Sequence, residues 1–377
     1  MPPRKIPVSS PEIGEREHRY VMDAVRSGWV SSLGEYIGRF EADFARYCGT
    51  EHGVAVSNGT TALEVVLKAL GVGRGDEVVV PALTFAAAAA VVVHVGAEPV
   101  LADVHPDYWC LDPRALARAV GPRTRAVIAV HSYGHPCDMD PILDTCGRAG
   151  IPVVEDCAEA HGARYRGRPM GSMGRCGTFS FYGNKIITTG EGGMVVTHDG
   201  ALAERVRQLK DHAMDPKRRY FHLDAGYNFR MTNPQAALGC AQLERIGEFL
   251  EKREALLVWY REETKGIGGI RLNPMMDWAE PVNWIVCAEL LDAARASKRD
   301  ALLGALAERG VDTRPFFVAL GDMPPYRDAR KVGAEGDGTP VADRLSRSGF
   351  NLPTSTTLGR EDVGRVGDAL RDVLKSS

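Results

Sequence analysis

Lys185 sits in a tight polar bend, "SFYGNKIITTGEGGMV" (residues 180–195), with apolar residues before it and Thr-Thr-Gly-Glu-Gly-Gly after it. Glycines so placed make a tight turn and keep bulk away from the amine. A surface lysine on a hairpin satisfies the same pattern, so other residues must decide. Two acids lie upstream: Asp156 ends the apolar run "IPVVED", and Glu159 follows three positions later. An acid at the end of an apolar strand is costly to bury unless a cation faces it. Earlier still, "GVAVS" leads into Asn58-Gly59-Thr60-Thr61, which opens a helical pattern. Glycine admits a ligand close to the backbone, and a helix N-terminus offers N–H groups to an anion. Taken alone, this segment reads first as an ordinary helix cap. Phe85 follows "DEVVVPALT". An aromatic at a strand end can lie flat on a ring, although a lone Phe is more often core.

One chemical need unites these groups. Pyridoxal phosphate (PLP) requires a lysine for its Schiff base, an acid to keep its pyridine nitrogen protonated, a phosphate cup and a ring platform. Lys185, Asp156, the Asn58–Thr61 turn and Phe85 would supply them in that order. Burial beside a cationic ring would help Lys185 lose its proton. Once released, the amine can carry the substrate's α-proton as base and then acid. A rival set, Asp156, Glu159 and His161, would make a metal-dependent hydrolase. Its spacing matches none of the usual ligand motifs, and no metal is expected.

The elements that must position these residues alternate. "GVAVS", "DEVVVPAL", "PVLADV", "RAVIAV", "IPVVEDC", "TFSFY" and "GGMVVTH" read as short strands, most of them separated by helical patterns such as "TTALEVVLKALG" and "DPILDTCGRAG". Apolar strands alternating with helices predict an α/β fold, a mostly parallel sheet covered on both faces. Ligands of such sheets bind at the carboxyl ends of the strands, where the groups above fall. Residues 233–266 read as one long helix joining a large domain (1–245, with its N-terminal segment) to a smaller α+β domain (246–377). Residues 318–342, rich in Gly and Pro, read as an irregular loop able to cover a site.

Composition narrows the class further. The 377 residues are 44% hydrophobic and 25% charged, as in a globular protein, and the formal net charge of −3 gives no basic field for nucleic acid. The start, "MPPRKIPVSSPEIGERE", has no apolar core of a signal peptide, and no apolar run reaches membrane-spanning length. Eight cysteines without a C-x-x-C pair argue against a zinc ribbon or a disulfide framework and predict a cytoplasmic protein.

Six motifs in order resemble the DegT/DnrJ/EryC1/StrS family of PLP-dependent sugar aminotransferases: "SNGTTAL", "GDEVVVPALTF", "VHSYGHPCDMD", "VEDCAEAHGA", "GTFSFYGNKIITTGEGG" and "GYNFRMTNPQAALGCAQLE". The resemblance implies a fold-type I enzyme with Lys185 as the Schiff-base lysine and Asp156 on the pyridine nitrogen. Glu159 stands where many members have Gln near the cofactor hydroxyl. Ser180 matches a phosphate-binding serine, beside Gly59, Thr60 and Thr61. Asn228 matches an asparagine that reaches the neighbouring subunit's phosphate, which implies a homodimer with shared sites.

Within the family the motifs look most like the perosamine-synthase branch, whose members move an amino group from L-glutamate to C4 of a nucleotide-linked 4-keto-6-deoxy sugar. One departure bears on the substrate. Leu320-Gly321-Asp322 stands where that branch usually has a histidine, which leaves a keto-cyclitol or a 3-keto sugar as alternatives. A non-enzymatic PLP-binding regulator is a further reading, against which the retained Lys185 argues. Cations for a diphosphate or carboxylate would come from Lys217, Arg218, Arg219, Arg230 and Arg314. For the first three, a solvated basic loop is an equal reading.

Overall fold

In a computed structural model of the chain, which describes residues 5–375, the Val-rich runs form one eight-stranded sheet. Its strands lie in the order His52–Val56, Gly193–Thr197, Cys176–Ser180, Val153–Asp156, Thr124–Val130, Glu77–Pro81, Glu98–Ala102 and Arg330–Val332. Gly193–Thr197 pairs antiparallel with both neighbours. The other pairings are parallel. Val78, Val79 and Val80 are all fully buried. Successive strand residues face opposite ways, so both faces of the sheet are covered.

A second core belongs to an antiparallel sheet ordered Ile270–Leu272, Val286–Leu290, Gly349–Leu352 and Arg314–Pro315. Leu256 and Tyr260 from the helix Ile246–Glu263 pack there with Val366 and Leu370 from the helix Arg360–Lys375. The sequence pattern carries this last helix to residue 376, which lies outside the described residues.

Three expectations are corrected. The long helix over 233–266 is two helices, Asn233–Leu243 and Ile246–Glu263. At the break Arg245 turns its guanidinium onto Glu12 (2.7 Å) and Glu17 (3.1 Å) of the N-terminal segment, a tertiary tie that local propensity cannot announce. The 318–342 stretch is not wholly irregular. Arg330–Val332 extends the large sheet beside Glu98–Ala102, and its Arg-Lys-Val sequence shows no apolar alternation. The division at residue 245 is also crossed in both directions. Ile6 is buried in the second core through backbone bonds to Gly310 and Asp312, while Arg330–Val332 joins the first. Among the described residues, no helix is long and apolar enough to cross a membrane.

Candidate active site

The carboxyl ends of the parallel strands open into a cavity of about 630 Å³. Asn58, Gly59, Thr60, Thr61, Phe85, Asp156, Glu159, Ser180 and Lys185 all line it, with Trp284 and with Arg314 from the antiparallel sheet.

Each is placed by local structure. Asn58 caps the helix Gly59–Ala69, its Oδ1 accepting the Thr61 N–H at 2.9 Å, while the Thr61 hydroxyl accepts the Asn58 N–H at 3.1 Å. The capping reading is therefore correct, and it does not compete with anion binding. The first N–H groups of a helix have no intrahelical partner, and Gly59 and Thr60 border the cavity. Two glycines let this turn meet the lysine hairpin. A Cβ on Gly59 would come within 2.7 Å of Ser180 Cβ, and one on Gly193 within 2.4 Å of the Asn58 carbonyl oxygen. Gly59 and Gly193 thus bring the helix N-terminus and the lysine loop together.

Asp156 ends its strand opposite Val130 and is buried. Its Oδ1 accepts the Ala158 N–H at 3.0 Å, and no ion pair engages it among the described residues. Burial raises its pKa, against the pull of that N–H and of Lys185. Glu159 accepts the Tyr133 N–H on Oε2 at 2.6 Å and faces Lys185 Nζ with Oε1 at 3.8 Å. Burial pushes its carboxyl up to about 7, the lysine charge and the Tyr133 N–H opposing. Burial likewise lowers the pKa of Lys185, while Glu159 and Asp156 resist that change. An amine so placed gives up its proton more readily than a surface lysine.

These residues fit PLP. A buried acid lacking a cationic partner, a lysine of lowered pKa, a helix N-terminus closed against Ser180, and an exposed Phe85 beside the cavity are the donor set the group needs. When bound, PLP supplies an electron sink for the charge left by the substrate's departing α-proton. Asp156 would hold the ring nitrogen, Gly59, Thr60 and Ser180 the phosphate, and Lys185 the carbonyl carbon and the moving proton.

The rival metal set does not assemble. His161 is packed among Phe44, Phe179 and Phe181 away from the cavity, and burial drives its pKa down to about 3. His131, Glu155 and Cys157 do lie close together. Yet Glu155 already accepts the N–H groups of Gly171, Met173 and Gly174. His131 Nδ1 accepts the Cys137 N–H, which leaves its Nε2–H to donate to Glu155 at 3.2 Å. That cluster is a hydrogen-bonded brace beneath the cavity floor.

A model of the DegT/DnrJ/EryC1/StrS aminotransferase family matches residues 11–371. The chain belongs to this family. It is 44% identical over 371 residues to a GDP-perosamine synthase of Caulobacter vibrioides, covering 98% of each protein. Among solved structures it is similar to S. venezuelae DesV in complex with a ketimine intermediate, with a TM-score of 0.90, 36% identity and 99% of both chains covered. A Streptococcus pneumoniae protein solved in PLP and PMP forms has a TM-score of up to 0.92 at 27% identity, covering 99% of this chain and 98–99% of that one. The protein is a PLP-dependent aminotransferase.

Two residues, one behind the cavity wall and one lining it, were not singled out from the sequence. Tyr133, at φ 55°, stacks on Phe317 (5.3 Å, 11°), and its hydroxyl accepts the Phe317 N–H at 3.2 Å. Trp284 lays its ring 4.1 Å from Lys185 Nζ and donates Nε1–H to the Asn184 carbonyl at 2.8 Å. The sole hints were an aromatic after the strand "RAVIAVHS" and one opening the run "WIVCAELL".

The expected substrate cations are spread out. Arg314 lines the cavity. Lys217, Arg218 and Arg219 lie exposed on the Met214–Asp215/Arg218–His222 hairpin, off the cavity. Arg230 pairs with Asp211 at 2.8 Å and donates to Asn228 Oδ1 at 2.9 Å. Asn228 is exposed and does not line its own chain's cavity. In the Leu320–Asp322 departure, Leu320 and Gly321 are buried behind the wall, the Leu320 N–H donating to the Ala82 carbonyl at 2.8 Å. The Lys331 side chain fills the space a residue larger than Gly321 would need, its Cε 2.5 Å from the Cβ position.

Proposed function

We propose that this aminotransferase moves an amino group from L-glutamate to the keto carbon of a nucleotide-linked keto-sugar, a 4-keto-6-deoxyhexose, in two half-reactions at one site. The observation that carries this reading is the end-to-end likeness to GDP-perosamine synthase, with Lys185, Asp156 and Glu159 gathered on one cavity floor. Lys185 takes the α-proton from the amino donor and later returns one to the sugar carbon. Asp156 keeps the cofactor nitrogen charged, and Arg314 at the cavity wall meets the donor carboxylate or the diphosphate.

Two copies complete each site in this reading, Asn228 of one serving the phosphate cup of the other. Exposed large apolar side chains at Trp29, Val30 and Leu33, and at Tyr220, Phe221 and Leu223 on the hairpin, favour a covered surface there. A cytoplasmic setting is favoured by eight cysteines that are all free and buried.

A donor and acceptor panel tests the substrate. With L-glutamate, a GDP-linked 4-keto-6-deoxyhexose should be aminated faster than nucleotide-linked 3-keto sugars or keto-cyclitols, read by product mass. Faster amination of a cyclitol or a 3-keto sugar would replace this assignment. Bound PLP with no amination of any acceptor would favour a regulatory role.

A further inference from the structure

We propose that Glu159 and Trp284 form a clamp that receives the Lys185 amine whenever it is not bonded to the cofactor and holds its proton there. The clamp owes its purpose to the aminotransferase reading, but its test does not depend on substrate or turnover. Lys185 Nζ lies between Glu159 Oε1 at 3.8 Å and the indole face of Trp284, 4.1 Å from the ring centroid. A carboxylate and the negative face of an indole both attract an ammonium.

Both jaws are braced. The other oxygen of Glu159 accepts the Tyr133 N–H at 2.6 Å. The Trp284 ring is fixed by its bond to the Asn184 carbonyl, in the residue next to Lys185, and the Trp284 carbonyl accepts the buried Arg253 guanidinium. One jaw comes from the loop after a strand of the large sheet, the other from the residues leading into the strand Val286–Leu290, and Trp284 is packed into the large core. A glutamine at 159 would keep the Tyr133 bond and lose the charge.

Other groups face the same amine. Asp156 adds a second carboxylate at the floor, and Arg253 a cation behind Trp284. His161 is held neutral by burial, and burial also raises Tyr133 and the Cys287 thiol, which lie with Cys110 around Glu159. Glu191 and Arg314 complete the charged lining of the cavity. Glu159, as the charge with the direct contact, is therefore the largest removable influence that favours a protonated Lys185.

The test uses the cofactor-free protein. Acetic anhydride labelling of the Lys185 peptide is followed by mass spectrometry from about pH 6 to about pH 11. The plateau rate reports access, and the midpoint reports the proton. Glu159→Gln should move the midpoint down by about one unit, giving about tenfold faster labelling below it. Trp284→Leu should move it down by less, about threefold in rate, while Trp284→Phe keeps an aromatic face and should stay near wild type. Midpoints that stay in place in Glu159→Gln and Trp284→Leu, with the plateau alone changing, would overturn the clamp and leave the aminotransferase assignment standing. Should Trp284→Leu not fold, the Glu159→Gln midpoint decides by itself. Loss of PLP binding in the wild type would instead strike at the aminotransferase reading.

Discussion

Asp156 and Glu159 at the cavity floor each take a backbone N–H from a nearby loop, and the Lys185 amine rests between Glu159 and Trp284. Around the Met214–His222 hairpin the arrangement is different. Lys217, Arg218, Arg219 and Asn228 are exposed, they lie off the cavity of their own chain, and Arg230 is taken up by Asp211 and Asn228. The floor brings Lys185, Asp156, Glu159 and Trp284 together within one chain. The hairpin holds charge and apolar surface that one chain leaves unused, as expected if a second copy is the neighbour it serves.

Substitutions at the two regions should therefore fail in different ways. If Lys185 moves the proton as proposed, Lys185→Ala should lower kcat by about 10⁴-fold or more while PLP still binds through the proposed cup. Turnover within tenfold of wild type would make the lysine structural. Asp156→Asn keeps the Ala158 bond but not the charge, and kcat should fall by about a hundredfold or more in steady-state assays. A near-normal rate would remove Asp156 from the ring nitrogen.

Changes at the hairpin side should act through the partner. Asn228→Trp should weaken PLP binding by about tenfold, measured by cofactor titration. When Lys185→Ala and Asn228→Trp chains are mixed and mixed dimers are verified by mass, one intact site per dimer should appear and activity should rise above both parents. Mixed dimers no more active than the parents would confine each site to one chain and erase the distinction between floor and hairpin.

The same contrast governs how much the sequence disclosed. The strands were legible because both faces of the sheet are buried, which writes continuous runs such as "EVVVP" and "VIAV" into the chain. Lys185, Asp156 and Glu159 reach the cavity because they sit at or shortly after the ends of such runs. Trp284 and Tyr133 were not legible, because their roles arise from contacts between residues that are more than 95 apart in the chain, Trp284 to Lys185 and Tyr133 to Phe317. The strand Arg330–Val332 and the break at Arg245 were hidden for a related reason, each being fixed by a partner far along the chain. The cations were chosen by residue type alone, and type does not say which of five reaches the cavity at the strand ends. Arg314 does.

The most direct measurement is borohydride reduction of the cofactor-loaded protein followed by peptide mapping. The protein should be yellow, and reduction should fix one PLP per chain on the peptide containing Lys185. A protein that stays colourless with added PLP, or a cofactor fixed to any other lysine, would contradict this assignment.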